Sequence, residues 1–164
     1  MIEVKLTEMG KELGKKLGIS FMPIRVNPSD NGYDLRACIS INRELLPDEV
    51  FAFPTGVHVY IGNADPEQEE LISTGILWAG LLVPRSSNPG MKLENTIGLV
   101  DSGYQGEIFL KYRNVSGKII TIEPGQRIGQ IIFIPTFAGY LHEIEEFSNS
   151  SDRGSNGFGS TGDK

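Results

Sequence analysis

From Asn31 onward the chain is a series of short apolar or alternating runs, with turn residues between them. In one of these runs Val57, Val59 and Ile61 alternate with His58 and Tyr60, which is the period of a half-buried strand. The runs are YDLRACIS, VFAFPTG, VHVYIG, LLVPRSS, IGLVDSGYQGEIFLKYRNVS, KIITIEPGQRIGQIIFIP and LHEIEEF. The 20 glycines of the 164-residue chain fit the many tight turns that such a pattern requires. Regularly spaced short strands predict an all-β sandwich or barrel.

The two ends of the chain depart from this pattern. The opening MIEVKLTEMGKELGKKLG predicts a short strand over Ile2–Leu6 and then a marginal helix, which Gly10, Gly14 and Gly18 weaken. From Ser148 the residues are mostly Ser, Gly, Asn and Asp, a composition typical of a flexible tail.

The length predicts one β domain over residues 1–147, followed by a flexible, Gly-rich C-terminal arm over 148–164. The acidic stretch NADPEQEELISTG interrupts the rhythm of the strands. We interpret it as a surface insertion at about residues 62–75.

Charge and composition exclude several classes of function. The net charge of −6 argues against broad binding to nucleic acid or to membrane surfaces, because both need basic patches. The single cysteine, Cys38, cannot form an intramolecular disulfide, which fits a cytoplasmic location. The longest apolar runs are too short to span a bilayer, and the first residues lack the apolar region of a signal peptide.

Histidine, cysteine and serine form no recognisable catalytic set. His58 and His142 lack the spacing of a metal-binding pair. Cys38 lies in an alternating strand with no histidine near it, which predicts a buried structural thiol. Ser86 and Ser87 have no evident base partner, so serine hydrolysis is not expected.

Three stretches instead carry groups suited to an anionic ligand. PRSS, Pro84–Ser87, offers a guanidinium and two hydroxyls at the end of a strand. GQRIGQIIF places Arg127 and Gln130 in an apolar strand. RGSNGFGSTG, Arg153–Gly162, combines an arginine, hydroxyls and glycine backbone with one aromatic ring, Phe158. Such a segment suits closure over a phosphorylated, aromatic ligand.

Asp101 is the candidate general base. It lies in GLVDSGYQGE, between an apolar strand and a turn, where an aspartate also commonly serves the turn itself. Tyr104 follows closely, and an exposed ring at this position suits packing against a sugar.

Five segments, taken in chain order, resemble the five motifs of the trimeric-type dUTPases, the deoxyuridine triphosphate nucleotidohydrolases. The motifs are GYDLRA (32–37), PRSS (84–87), GLVDSGYQGEI (98–108), GQRIGQIIF (125–133) and RGSNGFGSTG (153–162). Each is weak alone, but together and in order they are specific. The resemblance implies a jelly-roll-like β-barrel of the β-clip kind, assembled as a homotrimer with active sites at subunit interfaces. It also implies hydrolysis of dUTP to dUMP and pyrophosphate by water attack at the α-phosphorus.

Matching residue by residue, the resemblance implies that Asp101 activates the water and that Tyr104 stacks under the deoxyribose. Asp34 would support the phosphate region and its Mg²⁺ through water, since the triphosphate and water hold most of the metal's coordination sites. Phe158 would cover the uracil, and Asn95 would hydrogen-bond its edge. The full set of implied substrate-binding residues is Arg85, Ser86, Ser87, Asn95, Gly98, Val100, Tyr104, Gln130, Arg153, Phe158, Gly159, Ser160 and Thr161.

The chain departs from the family pattern at several positions. Asn31 and Gly129 stand where alanine is common, and Asn156 stands where glycine is common. Between PRSS and Asn95 the chain is about three residues shorter than is typical, which weakens the assignment of Asn95. The insertion at 62–75 is either a plain surface excursion or an element that binds a partner or lies at the trimer rim.

Two other functions fit the same resemblance. A dCTP deaminase shares the fold but needs deaminase groups and a pocket that reads cytosine, whereas the Asp101–Tyr104 motif and the Phe-bearing tail favour dUTPase. A regulatory protein acting through the acidic insertion is the second alternative, as a role added to catalysis.

Overall fold

A computed structural model of the chain describes residues 2–62, 75–94, 98–137, 139 and 141–149. It contains one helix and ten strands among these residues. In chain order they are β1 (Glu3–Leu6), α1 (Glu8–Leu17), β2 (Tyr33–Arg36), β3 (Arg43–Leu45), β4 (Val50–Tyr60), β5 (Ile76–Pro84), β6 (Met91–Leu93), β7 (Gly98–Val100), β8 (Glu107–Asn114), β9 (Ile120–Ile122) and β10 (Arg127–Phe137).

The strands form two four-stranded sheets and one ribbon, all antiparallel. The orders are β1-β4-β8-β6 and β2-β10-β5-β7, with β3 paired to β9. Side chains of all three groups share one core, in which Phe53, Leu110 and Ile131 are fully buried. Burial alternates along β8, as expected of strands with one face on the core. The predicted all-β barrel is confirmed.

The opening strand and helix also form, but the glycines of the helix do more than weaken it. A Cβ at Gly10 would lie 2.8 Å from the carbonyl oxygen of Gly56, and one at Gly14 would lie 2.9 Å from that of Ile19. These glycines therefore let the helix backbone approach the chain that it packs against. Thr7 caps the helix by accepting from the N–H of Gly10 at 3.0 Å, and Gly18 ends it in the left-handed conformation.

Cys38 is buried, as the sequence predicted, in a small cluster with Leu13 and Phe21. Burial raises the pKa of its thiol to about 11, and the Glu107 carboxylate adds to the shift. The thiol is therefore protonated and unreactive at neutral pH.

One run predicted to be a strand is not one. Residues 141–147, LHEIEEF, form no strand in the structure. Leu141 is 94% and Phe147 88% exposed, so neither face of the segment is buried. Despite its alternating sequence, the segment pairs with no strand among the described residues.

Within the described residues, no helix is long and apolar enough to cross a membrane.

Asn114 joins the ribbon to the larger sheets. Its side chain is fully buried, and Nδ2 donates to the carbonyl oxygens of Leu45 at 2.8 Å and Lys118 at 2.6 Å. Its Oδ1 accepts from both the N–H and the hydroxyl of Ser116. Every polar group of this amide is satisfied, which is what burial of an asparagine requires.

We expect Asn114→Leu to lower the free energy of unfolding by about 3 kcal/mol, because it removes the side-chain donor to the buried carbonyl oxygen of Leu45 and the acceptor of Ser116. Urea denaturation with matched m-values measures the loss. Ser116→Ala is the control, since it removes side-chain hydrogen bonds nearer the surface and should cost only about 1 kcal/mol. Equal losses in the two variants would contradict the assigned role of Asn114.

Candidate active site

The first part of the site is a carboxylate, Asp34, buried among cations. Asp34 lies on β2 and is only 3% exposed. Its Oδ1 is 3.0 Å from Nε of Arg85 and its Oδ2 is 3.4 Å from Nη1 of Arg127. Gln130, its register partner on β10, donates from Nε2 to Oδ1 at 3.0 Å. These contacts compensate the desolvation of the carboxylate.

A third guanidinium belongs to the same cluster. Arg36 follows Asp34 by two residues on β2, is the register partner of Arg127, and donates from Nη1 to the carbonyl oxygen of Gly125 at 2.7 Å. Burial, together with the charges of Arg127 and Arg85, lowers the pKa of Arg36 despite the attraction of Asp34. Three guanidinium groups around one carboxylate leave an excess of positive charge. The cluster therefore suits a multiply charged anion such as a phosphate chain.

Two glycines make room for this arrangement. A Cβ at Gly32 would lie 2.9 Å from both Cδ and Oε1 of Gln130, so the glutamine side chain lies directly against that backbone. At Gly129 a Cβ would lie 2.6 Å from a Cδ of the fully buried Leu110 and 3.2 Å from the hydroxyl of Tyr112. The glycine at 129, where the family commonly has alanine, is thus matched by core side chains that fill the space.

The PRSS segment lies beside the cluster, at the end of β5. Arg85 is partly buried, while Ser86 and Ser87 are exposed. The segment turns back at Asn88, whose N–H donates to the carbonyl oxygen of Arg85 at 3.2 Å. Nδ2 of Asn88 donates to the carbonyl oxygen of Ile128 at 2.9 Å and so fastens the turn to β10. The two hydroxyls are therefore accessible next to the arginines.

The second part of the site is a cavity of about 280 Å³ at the start of β8. Asp101 and Tyr104 line it, and both are exposed. The N–H of Tyr104 donates to the carbonyl oxygen of Asp101 at 3.0 Å. The hydroxyl of Tyr104 donates to the backbone carbonyl oxygen of Glu107 at 2.9 Å. A Cβ at Gly106 would collide with the Tyr104 hydroxyl, so the ring crosses the glycine. The other lining residues are Leu82, Gly98, Leu99, Val100, Glu107, Ile108 and Phe109.

Within one chain the two parts of the site are far apart. Asp101 follows Val100, whose partner Gly80 lies in the middle of β5. Arg85 follows the last residue of β5, and β7 runs away from that end toward Asp101. At about 3.3 Å per residue, Asp101 and Arg85 are separated by about 20 Å along the sheet. No single phosphate contacts both groups in one copy of the chain.

Comparison with known proteins identifies the family. The dUTPase family model matches residues 20–162, which is most of the chain. The chain belongs to the dUTPase family. The deoxyuridine 5'-triphosphate nucleotidohydrolase of Serratia proteamaculans is 37% identical over 156 residues, covering 93% of this chain and 94% of that protein. The protein of the same name from Neisseria meningitidis serogroup A is 38% identical and covers 86% of this chain and 87% of its own length.

Solved dUTPase structures share the fold. The dUTPase of Staphylococcus bacteriophage 80alpha, solved with dUPNHPP, is 27% identical and superposes with a TM-score of 0.73. The superposition covers 99% of this chain and 98% of that one. The sequence-based identification of a dUTPase-family enzyme is confirmed, together with its β-barrel fold.

The structure of this dUTPase-family chain groups the residues predicted from sequence in two sets. Arg85 and Gln130 both contact Asp34, and Ser86 and Ser87 follow Arg85 in the chain. Gly98, Val100, Asp101 and Tyr104 line the separate cavity. The remaining predicted residues lie outside the described part of the chain: Asn95, Arg153, Phe158, Gly159, Ser160 and Thr161, together with Asn156 and most of the insertion.

Sequence reasoning misses Arg36 as a member of the site and gives Arg127 no specific role in it. Residues two apart on a strand point to the same face, so the position of Arg36 relative to Asp34 is a usable signal. The sequence places Arg127 in a stretch suited to an anion but does not indicate its partner. A register shift between Arg127 and Gly129 alters the alternation at this point, so that pattern alone does not reveal its direction.

The described residues do not form a protein cage for a metal ion. No group of three or more His, Cys, Asp or Glu side chains that could hold one occurs among them. Asp34, the one buried carboxylate of the cationic cluster, already accepts from Gln130 and faces two guanidinium groups. Among the described carboxylates of this cluster, Asp34 is the one that would support, through water, a magnesium ion carried by a triphosphate.

We expect Asp34→Asn to lower the free energy of unfolding by about 2 kcal/mol, because it leaves Arg85 and Arg127 facing one another without a counter-charge. The value is below that of a fully buried pair, since both guanidinium groups are partly exposed. Thermal unfolding with and without pyrophosphate measures it. Pyrophosphate should restore more stability to the variant than to the wild type, and an equal shift in both would contradict the electrostatic account.

Proposed function

We propose that the protein hydrolyses dUTP to dUMP and pyrophosphate, which limits uracil in DNA and supplies dUMP for thymidylate synthesis. The observation that carries this is the pair formed by the Asp101–Tyr104 cavity and the cationic cluster around Asp34. One supplies a carboxylate and an aromatic ring, and the other supplies positive charge for a phosphate chain. Family membership gives the substrate class, since the relatives are named for dUTP hydrolysis.

In this proposal the cavity holds the nucleoside. Backbone of Gly98 and Val100, with the side chain of Asn95, reads the uracil edge, because unsatisfied buried polar groups penalise cytosine. Thymine carries one extra methyl, which a tight cavity excludes by contact. The ring of Tyr104 stacks under the deoxyribose and leaves no space for a 2′-hydroxyl. Val100, 5% exposed, and Ile108, 2% exposed, provide rigid walls for such selection.

The phosphates lie against the cationic cluster. Arg85 and Gln130, with the hydroxyls of Ser86 and Ser87, bind phosphate oxygens, and Asp34 keeps Arg85 oriented. Bound Mg²⁺ neutralises part of the charge on the triphosphate and helps to fix its shape. Asp101 accepts a proton from the attacking water as it adds to the α-phosphorus, and pyrophosphate leaves. Positioning and charge stabilisation supply most of the catalysis in phosphoryl transfer.

The C-terminal arm, residues 148–164, completes the site in this proposal. Arg153, with Gly159, Ser160 and Thr161, binds the γ-phosphate, and Phe158 covers the uracil. Closure of such a segment adds positive charge and excludes water from the reaction. Residues 1–147 form the β domain that carries the rest of the site. A protein partner at the 62–75 insertion stays a prediction, as does a cytoplasmic location.

Assembly as a homotrimer brings the Asp101 cavity of one subunit next to the Asp34 cluster of a neighbouring subunit in this proposal. A base that acts at the α-phosphorus has to lie within hydrogen-bonding reach of a water beside the groups that hold that phosphate. In one chain Asp101 and Arg85 are about 20 Å apart along the sheet, so we assign the two halves of each site to neighbouring subunits.

The outer face of the β2-β10-β5-β7 sheet offers the surface for this assembly. Leu99, Leu81 and Ile132 are register partners across three strands and therefore share one face, and Leu99 is 59% exposed. Val83 and Gln130 pair on the same face, so the apolar surface continues into the cationic cluster. A contiguous apolar surface next to a half-site favours an interface between copies of the chain.

The direct test measures pyrophosphate release from the four common deoxynucleoside triphosphates, dUTP and UTP. We expect turnover of dUTP that exceeds each of the others by at least about a hundredfold, because unpaired polar groups and steric contact reject them. Omitting Mg²⁺ should lower the rate. Ammonia release from dCTP with dUTP untouched would favour the dCTP deaminase alternative and contradict our proposal.

Asp101→Asn should keep dUTP binding and lose turnover by about a thousandfold, because the amide does not accept the proton of water. Calorimetric binding of dUTP, which the variant hydrolyses only slowly, and single-turnover kinetics separate the two effects. Glu44→Gln, at an exposed carboxylate on the ribbon, is the matched control and should behave as the wild type. Unchanged turnover in Asp101→Asn would refute its role as base.

Mixing two inactive variants tests the shared site. Asp101→Asn and Gln130→Leu each disable a different half. When the two chains are co-expressed and assemble at random, about one quarter of the sites combine two intact halves, so about a quarter of wild-type activity should return. If the mixture stays as inactive as either variant alone, both halves belong to one chain and the interface assignment is wrong.

A further inference from the structure

Strand β4 pairs irregularly with β8 where it passes the turn that carries Asp101 and Tyr104. Their register is continuous from Val50 to Pro54, shifts, and resumes at His58, whose partner is Glu107. A shift of this kind leaves backbone groups without their regular hydrogen bonds between strands and changes the direction of nearby side chains. At this interruption, groups of β4 bind β8 and the turn through individual contacts.

The first two contacts replace the interrupted ladder. Oγ1 of Thr55, fully buried, donates to the carbonyl oxygen of Ile108 at 2.7 Å. The N–H of Gly56 donates to Oε1 of Glu107 at 2.8 Å. Gly56 has a φ of +72°, and a Cβ there would lie 2.9 Å from Sγ of Cys38, so the position requires glycine. The carboxylate of Glu107 therefore takes the place of a backbone acceptor.

Two more contacts reach the turn itself. Nδ1 of His58 lies 2.9 Å from the carbonyl oxygen of Gln105. Because a carbonyl only accepts, this bond requires a proton on Nδ1, which donates. The N–H of Ile61 donates to the carbonyl oxygen of Ser102 at 3.4 Å, a longer and weaker contact. The turn is thus held near both of its ends.

Glu107 also connects β4 to the ring of Tyr104. Its carboxylate accepts from Gly56, and its own carbonyl oxygen accepts the hydroxyl of Tyr104 at 2.9 Å. The position of the Tyr104 ring over Gly106 thus depends on a residue that β4 holds in place.

We infer that His58 and Glu107 are positioning residues, which fasten the Asp101–Gly106 turn to β4 and so set where Tyr104 and Asp101 stand in the cavity. The inference rests on the proposed function, since it concerns how that same cavity is kept ready for a nucleotide. His58 does not line the cavity, and Glu107, which lines it, acts in this account through its bond to Gly56. Each acts by raising the fraction of molecules in which the turn has its binding-competent shape.

This role has a distinct kinetic signature. When only a fraction of the protein is competent to bind, the apparent dissociation constant rises in inverse proportion to that fraction. Saturating substrate selects the competent shape, so kcat is preserved while KM increases. A variant that is merely less stable instead lowers the amount of active protein, which reduces kcat and leaves KM unchanged.

The test compares His58→Leu with His58→Asn. An asparagine keeps a donor at the δ position, so it should retain the bond to Gln105, whereas leucine keeps bulk without a donor. We expect His58→Leu to raise KM for dUTP about fivefold, the loss of one hydrogen bond, with kcat within about twofold. His58→Asn should restore most of the wild-type KM. His142→Leu, at an exposed histidine far along the chain, controls for loss of an imidazole.

Glu107→Leu and Glu107→Gln form a second, independent pair. Glutamine keeps the oxygen that accepts from Gly56, and leucine does not. We expect Glu107→Leu to raise KM about tenfold, because a charged acceptor is lost, and Glu107→Gln to stay within about twofold of the wild type. A lower kcat with unchanged KM in both leucine variants would overturn the inference and leave these residues a structural role only.

Amide hydrogen exchange separates this inference from the proposed function. Exchange at residues 102–106 should accelerate about fivefold in His58→Leu and not in His58→Asn, whether or not the protein hydrolyses dUTP. An inactive wild type with this exchange pattern would refute the proposed reaction and keep the attachment. An active wild type whose exchange is unaffected by His58→Leu would refute the attachment and keep the reaction.

Discussion

The ion cluster at Asp34 is the constraint on which the rest of the site depends. A carboxylate that is 3% exposed needs partners, and Asp34 obtains them from β10 and from the segment that follows β5. Gly32 and Gly129 leave space around it, because a Cβ at either position would press on Gln130 or on Leu110. The arginines that Asp34 orients are then the groups available to a phosphate chain. One buried charge thus fixes both local packing and ligand preference.

Much of the fold was predictable because strands with one face on a core repeat with a period of two. The sequence-based prediction fails where contacts with residues distant in the chain determine the local structure. LHEIEEF alternates like a strand but has no sheet to join, since Leu141 and Phe147 stay exposed. The glycines of α1 read as weak helix positions, yet Gly10 and Gly14 are contact points. Local pattern does not contain such long-range contacts.

The site was predictable by motif order and less so by residue. Asp34 and Gln130 were expected near phosphate, and cross-strand register brings them together. The contact of Arg127 with Asp34 is not predictable from the alternation, because a register shift lies between Arg127 and Gly129. The alternation places His58 on one face of a strand and its spacing excludes a metal pair, but neither reveals the bond to Gln105 that forms where the turn meets β4. Contacts to backbone oxygens leave no signature in sequence, because every residue has one.

The surplus of guanidinium groups has a practical consequence for handling the protein. Arg36, Arg85 and Arg127 repel one another, and Asp34 balances only part of their charge. If the cluster binds phosphates as proposed, small multivalent anions will relieve that repulsion by mass action, so a phosphate or sulfate buffer will stabilise the protein and compete with the substrate for the same groups. Affinities measured in such a buffer will then understate those measured without it.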